Sequence, residues 1–278
     1  MKRALRILFS VIFGFAVLLV SANLYFHYWL QHHLPQYIEK NSPYYIHYQN
    51  LNIEFVSGNI SASKVKITPK HIDNRKLLQL NGTVDSLFIS NLGIYDAILN
   101  KKINAKYLKL FRPNLQIILP KNQDAHKNKK QPLISKNLMI EDGNIEILRF
   151  DKSKFLSIEN LSLNVENLKL TEKNVTRKLP IVFDQYSIKS KAFHFYPDEV
   201  YHISAAEINT ENGEMSVIDF SMKPLINFSE FSRKFPRKSL FDISSQKMNF
   251  KDIVLKKNKI SLSEVRFSEP NLTVYTSE

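Results

Sequence analysis

Five segments of the chain repeat one template, in which alternating apolar residues are interrupted by a proline or a glycine. The segments are YQNLNIEFVSGNISA (48–62), INAKYLKLFRPNLQI (103–117), LISKNLMIEDGNIEI (133–147), ISAAEINTENGEMSV (203–217) and ISLSEVRFSEPNLTV (260–274). On both sides of the interruption the apolar residues keep period two, which is the spacing of one face of a β-strand. The interrupting residues are poorly accommodated by a regular ladder and stand at a fixed offset: Gly58, Pro113, Gly143, Gly213 and Pro270. Each segment therefore predicts a strand, a bend and a second strand.

The bend must also change the direction of the side chains. Leu110 and Leu115 lie an odd number of residues apart, so they would point to opposite faces of an unbroken strand. A two-residue hairpin would pair Phe267 with Val274, whereas a bulge that absorbs one residue would keep a continuous strand with both flanks on one face. The sequence leaves both geometries open. With either, one face of the sheet stays apolar over most of the chain.

Residues 7–30 form the one sustained apolar stretch and predict a transmembrane helix, with 1–6 as a cytoplasmic tail and 31–43 as a connector. The positive-inside rule places the amino terminus in the cytoplasm, because three basic residues precede the stretch: Lys2, Arg3 and Arg6. The predicted anchor residues are Ile7, Phe13, Phe15, Leu18, Leu19, Tyr25 and Trp29. The alternative is a cleaved signal peptide that ends at the small residues 20–22. Either interpretation exports the remaining chain.

Composition excludes several classes of protein. The chain has no cysteine, so disulfides, zinc–thiolate sites and cysteine nucleophiles are absent. The formal net charge of +13 raises the question of nucleic-acid binding, which needs basic residues gathered into a patch. Here the lysines are spread among alternating strand residues, as on a solvated face, and we predict no nucleic-acid partner. Anionic lipid headgroups and plain solubility are the better explanations of the surplus charge.

One segment departs from the β pattern. In residues 224–237 the aromatic side chains Phe228, Phe231 and Phe235 are spaced to form one face of a short helix, which we place near 226–235. Ser229 is the predicted start of this helix and Pro236 its end. We expect it to plug one end of the sheet or to cover its apolar face; docking to a partner or to the membrane is the alternative.

No catalytic motif is present, and we predict no catalytic residue, no metal site and no cofactor. His32 and His33 are adjacent, so their side chains diverge. His194 and His202 flank a turn and could face each other across a hairpin, but the sequence offers no third ligand. A pair on the strand surface is therefore the expectation.

An N-terminal signal-anchor followed by loosely repeated strands of the form I-x-x-x-x-L-x-L-x-x-P-N-L-x-I resembles the AsmA-like proteins of the bacterial envelope, part of the repeating-β-groove group. Segments 103–117 and 260–274 carry the resemblance, supported by 145–170 and by the helix. It implies an all-β fold in which residues 44–278 form an elongated, twisted, mostly antiparallel and half-open sheet in the periplasm, held by an inner-membrane helix. About fourteen strands spaced about 4.8 Å apart give a groove roughly 65 Å long.

The resemblance also implies that the apolar face shields the acyl chains of phospholipid or a similar amphiphile. The candidate lining residues are Leu108, Leu110, Leu115, Ile117, Ile145, Ile147, Leu161, Leu163, Val265, Phe267, Leu272 and Val274. An open edge strand would invite pairing with an envelope protein or with a second copy. The rival hypotheses are a jelly-roll component of a lipopolysaccharide-export bridge and a structural scaffold whose sheet closes as a sandwich and carries nothing.

Overall fold

The structure is a computed structural model that describes residues 42–54, 57–71, 78–93, 104–120, 134–167, 169–170, 181–182, 185–211, 213–236, 238–256 and 259–276, with scattered positions before residue 42. Most of the described residues lie in strands, as the alternating apolar pattern predicts. The strands are β1 (Tyr44–His47), β2 (Asn50–Glu54), β3 (Asn59–Pro69), β4 (Gln79–Ser90), β5 (Asn104–Ile118), β6 (Ile134–Leu148), β7 (Lys154–Glu166), β8 (Lys169–Leu170), β9 (Ile181–Val182), β10 (Gln185–Phe195), β11 (Tyr201–Glu211), β12 (Glu214–Pro224), β13 (Leu240–Lys251), β14 (Val254–Lys256), β15 (Lys259–Ser261), β16 (Glu264–Ser268) and β17 (Asn271–Tyr275).

Thirteen of these strands form one sheet with the order β1-β3-β4-β5-β6-β7-β10-β11-β12-β13-β16. β2 pairs with β3 beside β1, and β17 pairs with β13 beside β16, so the sheet has eleven positions across its width. At about 4.8 Å per step this width is about 48 Å, less than the predicted 65 Å. The two edges do not pair with each other, so the sheet is open. Two short hairpins, β8–β9 and β14–β15, stand apart from it.

The pairing is mostly antiparallel, as predicted. Among the described strand pairs the exception is β5 and β6, which run parallel and carry two neighbouring copies of the template. Their apolar positions fall in register, with Leu108 opposite Leu138 and Leu110 opposite Ile140. Two copies of one sequence template thus lie side by side in the same orientation.

Both bend geometries that the sequence left open occur. The copies at Gly58 and Gly213 are hairpins, in which β2 turns into β3 and β11 turns into β12. The copies at Pro113 and Gly143 are continuous strands: around Gly143 the pairing of β6 with β7 shifts register as in a bulge, whereas β5 keeps its register with β4 and β6 across Pro113. The copy at Pro270 joins β16 and β17 along the same neighbour. The hairpin pairing of Phe267 with Val274 is therefore wrong, since these residues pair with Met248 and Phe241 of β13.

A line of bends crosses the sheet from one side to the other, and we call it the bend line. In several strands one residue near the middle adopts a positive φ, and the apolar alternation changes phase by one residue there. The members of the bend line are Lys64 (β3), Arg112 (β5), Asp142 (β6), Asn160 (β7), Ala192 (β10), Asp219 (β12) and Glu269 (between β16 and β17). Because the bends are aligned, the apolar alternation is restored on the same face below the line in successive strands.

Asparagine side chains hold several of the positive-φ residues in place. Asn144, which follows Gly143, accepts a hydrogen bond at Oδ1 from the backbone N–H of Asn160 in the next strand, at 3.0 Å. Asn59, which follows Gly58, accepts one from the N–H of Asn91 at 3.3 Å. The asparagine that follows the interrupting glycine thus accepts a hydrogen bond from the backbone of the neighbouring strand. This role is separate from the tolerance of asparagine for turn geometry.

The predicted short helix, α1 (Phe228–Lys234), connects β12 to β13. Its N-cap is Asn227, whose side chain accepts from the N–H of Glu230 at 2.9 Å, so the predicted start at Ser229 is wrong by two residues. Pro236 follows the last helical residue closely, as expected. Phe231 is buried against Val200 and Leu240 at one end of the sheet.

The predicted anchor, residues 7–30, lies largely outside the described residues and stays a prediction. Among its named residues the structure describes only Tyr25, which is helical and exposed. Within the described part of the chain, no helix combines the length and the apolar character that a membrane span requires.

Candidate functional site

The predicted lining residues fall into rows that cross the sheet on a single face, which we call the apolar face. Residues directly opposite each other in a ladder share a face. Leu110 of β5 pairs with Leu87 of β4 and with Ile140 of β6, and Ile140 pairs with Leu163 of β7, which pairs with Ile188 of β10. One apolar row therefore runs unbroken through five strands.

A second row lies below the bend line. Ile117 pairs with Leu80 and with Ile147, Ile147 pairs with Leu156 of β7, and Leu156 pairs with Phe195 of β10. The row continues through β11 and β12 to the last edge, by way of Ile203, Met222, Ile243 and Leu272. Only three members of this row were predicted from the sequence, Ile117, Ile147 and Leu272. Period-two alternation in β4, β7, β10, β11, β12 and β13 was the signal that could have identified the others.

The bend line keeps the two rows on one face. Leu110 above the line and Leu115 below it belong to the same hydrophobic cluster, together with Val65 and Val84. The odd separation that the sequence presented is thus resolved by the positive φ of Arg112. Leu108 and Ile145 lie on the same face, two residues from Leu110 and Ile147, and pair there with Ile89 and Ile158. Leu161 lies opposite Gly143 on the bend itself.

The remaining candidates lie at the last edge. Val265 pairs with Phe250 and Phe267 with Met248, above the bend between β16 and β17. Val274 pairs with Phe241 below it. All twelve predicted lining residues therefore belong to one face.

Exposure across this face is graded. Leu115 and Leu161 lie against the bends and are buried, with 9% and 5% of their surface accessible. Phe267, Leu272 and Val274 on the edge strand are 51%, 60% and 45% exposed. The other candidates are half-buried. Half-burial is what neighbours in the same layer provide when nothing lies above them.

No second layer covers the apolar face in the part of the molecule that the structure describes. Each hydrophobic cluster joins neighbouring strands, and none of them joins strands from distant parts of the sheet. The helix α1 does not cover it either. It packs on Leu240, which is adjacent to Phe241 in β13, so the side chains of these two residues point to opposite faces.

The opposite face is polar and charged. Lys109 Nζ of β5 lies 2.7 Å from Glu141 Oε1 of β6, and Gln116 Nε2 donates to Glu146 Oε2 at 2.8 Å. These side chains alternate with Leu108, Leu110 and the rest of the apolar rows. The sheet thus has one polar face and one apolar face. On the polar face, the charged and amide side chains named above pair with each other between neighbouring strands.

The two histidines that the sequence placed across a turn do meet on the polar face. His194 Nδ1 lies 3.1 Å from His202 Nε2, and the ring of Tyr196 stacks on His202 with centroids 4.4 Å apart. Burial, and secondarily the proximity of His194, lowers the pKa of His202 below its ordinary value. The described residues contain no group of three or more His, Asp or Glu side chains placed to hold a metal ion. Among the described residues the pair therefore has no third ligand.

Comparison with known proteins identifies no family. No protein-family model matches the chain. No curated protein matches it either.

Proposed function

We propose that the protein is a membrane-anchored, periplasmic lipid-binding protein of the AsmA-like type. In this proposal the apolar face is the lining of an elongated, half-open groove that shields the acyl chains of phospholipid or a similar amphiphile. The protein is held in the bacterial inner membrane by residues 7–30, with its amino terminus in the cytoplasm, and contributes to envelope lipid homeostasis. It transfers or stores lipid by burial of acyl chains and performs no catalysis.

The observation that carries the proposal is the single-layered, unclosed sheet with one continuous apolar face. A soluble domain covers such a face with a second layer or with a ligand, because exposed apolar patches beyond a few hundred Å² are unfavourable in water. The rows from Leu87 to Ile188 and from Leu80 to Leu272 have no protein layer above them among the described residues. A ligand is the remaining cover.

An acyl chain suits this face energetically. Each methylene group removed from water contributes about 0.8 kcal/mol, so a chain of about fourteen methylenes gains about 11 kcal/mol on complete burial. A groove that covers half of the chain retains about 5–6 kcal/mol of this gain. A bilayer buries the whole chain, so transfer from the bilayer into the groove costs about 5–6 kcal/mol per chain, about half the cost of transfer into water, and return to a bilayer is favourable.

The open sheet also bears on the two rival functions. A scaffold closed as a sandwich, or a jelly roll, needs two facing sheets with a shared core. The thirteen strands instead form one ladder with free edges. This arrangement favours the groove over both rivals.

The test is lipid photocrosslinking from neighbouring positions on opposite faces. Full-length protein carries a photoreactive amino acid at Ile147, on the apolar face, or at the adjacent Glu146, on the polar face. After irradiation in cells and detergent-free extraction, mass spectrometry should find lipid adducts from position 147 and none from position 146. Equal labelling from both faces, or none from 147, would contradict the proposal.

A charge on the lining provides the second arm. Phe267→Arg should reduce lipid adducts at position 147 several-fold, because a guanidinium beside an acyl chain loses hydration without gaining a partner. Leu110→Arg should do the same at the centre of the sheet. Arg266→Lys, next to Phe267 but on the other face, is the matched control. Circular dichroism should show an intact sheet for Phe267→Arg, since that side chain is half exposed; loss of the sheet would make Phe267 an ordinary core residue.

A further inference from the structure

The two free edges of the sheet share a layout. The first edge consists of β1 with four residues, two intervening residues (Tyr48 and Gln49) and β2 with five. The last edge consists of β16 with five residues, two intervening residues (Glu269 and Pro270) and β17 with five. In both, the interruption lies where the bend line reaches the edge: at the first edge it is opposite Lys64 of β3, and at the last edge Glu269 itself has the positive φ.

The two edges also run in opposite directions. β1 and β2 run antiparallel to β3, and following the ladder across the sheet shows that β16 and β17 run the same way as β3. When two copies are placed side by side with the same orientation, the last edge of one therefore meets the first edge of the next in antiparallel fashion. The apolar faces of the two copies then lie on the same side.

We propose that copies of this chain join head to tail, with β16 and β17 of one copy pairing with β2 and β1 of the next. Aligning the two interruptions fixes the register, and apolar residues then oppose apolar ones. Leu272 faces Ile46, Phe267 faces Leu51, and Val265 faces Ile53; polar residues oppose polar ones, as in Arg266 with Asn52 and Thr273 with Tyr45. The like-charged pair Glu54 and Glu264 lies at the end of the ladder, where Lys251 is 3.8 Å from Glu264 and Arg266 also pairs with it.

The interruption makes this pairing selective. A straight strand cannot follow an edge that bends in its middle without losing ladder hydrogen bonds. Among the described strands, those of this sheet bend at the required level, and of these β1–β2 and β16–β17 have a free side. The half-exposed Phe267, Leu272 and Val274 gain in such a contact the neighbours that interior rows already have. The stack continues the apolar rows of one copy into those of the next.

The chain lacks cysteine, so engineered cysteines report the contact directly. In full-length protein in isolated membranes, Asn52→Cys with Arg266→Cys should form disulfides between copies when an oxidant is added, because directly opposed antiparallel residues meet disulfide geometry. Within one copy the two positions lie on opposite edges that do not pair with each other, ten strand steps or about 48 Å apart along the sheet, so a disulfide between them is expected only between copies. A non-reducing gel should show a ladder of dimers, trimers and larger species that collapses on reduction. Tyr45→Cys with Thr273→Cys tests the other side of the bend independently.

Two controls make the result decisive. Asn52→Cys with Thr273→Cys places the cysteines on different sides of the interruption and should give monomers. Arg266→Cys with Thr273→Cys would give dimers only if two last edges paired with each other. That outcome, monomers from both matched pairs, or disulfides only to a different protein, would overturn the proposal. Because the readout is a protein–protein disulfide, its failure is distinguishable from failure of lipid binding.

Discussion

Gly82 is a sensitive probe of the close approach of β4 and β5, and we expect Gly82→Ala to destabilise the sheet strongly. Its φ is +149°, a conformation that residues with a side chain rarely adopt. A Cβ atom there would overlap Asn114 O and lie 2.9 Å from Leu115 Cα, both backbone atoms of β5. Neither neighbour can move without displacing the strand that carries Leu110 and Leu115.

The magnitude follows from two contributions. The backbone conformation costs about 1–2 kcal/mol for a residue with a Cβ. Displacing β5 weakens ladder hydrogen bonds and packing by about 2 kcal/mol more. For a chain of this size about 1 kcal/mol lowers Tm by about 2–4 °C, so Gly82→Ala should lower Tm by roughly 6–16 °C.

Gly213→Ala is the matched control. Gly213 also has a positive φ, +80°, but a Cβ there meets no described atom within 4 Å. Only the backbone cost of about 1–2 kcal/mol applies, and Tm should fall by about 2–8 °C. Thermal unfolding of the full-length protein, followed by circular dichroism in the β region, measures both. Equal Tm changes for the two variants would refute the close packing of β4 on β5.

Two further predictions concern the end of the sheet and the polar face. Asn227→Ala should lower the free energy of unfolding by about 1 kcal/mol, because the N-cap acceptor for the Glu230 N–H is lost. Asn227→Asp should retain the stability of the original protein, because aspartate is also a good N-cap residue. An unchanged Tm for the alanine variant would show that Asn227 does not act as the cap. Because the pKa of His202 is lowered in the folded state, the unfolded state binds more protons, and this contribution to stability should decrease as pH falls through and below the ordinary histidine pKa. His194→Gln should reduce that decrease, measured as Tm against pH between 8 and 5; an identical pH profile would show that His194 does not influence His202.

Local sequence patterns were enough to predict the all-β fold, the apolar face and the short helix. The twelve candidate residues share a face because period-two alternation is a local property that each strand imposes on its own side chains. The fixed offset of Pro113 and Gly143 likewise located the bends, since these residues disturb any ladder.

The type of bend could not be predicted, because it depends on what lies beside the strand. Gly58 and Gly143 both precede asparagine, yet one turns a hairpin and the other a bulge. Arg112, which takes the positive φ, carries no signal of it in its side chain, whereas Asp142 is of a residue type enriched in that conformation. The parallel pairing of β5 with β6 is also non-local, and nothing in either segment distinguishes a parallel from an antiparallel neighbour.

That single parallel step decides the polarity of the whole ribbon. In a ladder of eleven positions that alternates throughout, the first and last strands point the same way, and two identical ribbons set end to end would meet in parallel. One departure from alternation, between β5 and β6, reverses every strand beyond it. The two edges of the molecule therefore differ, as the two ends of a polymer subunit do. The parallel step that causes this difference lies inside the sheet, with four strand positions on one side of it and seven on the other.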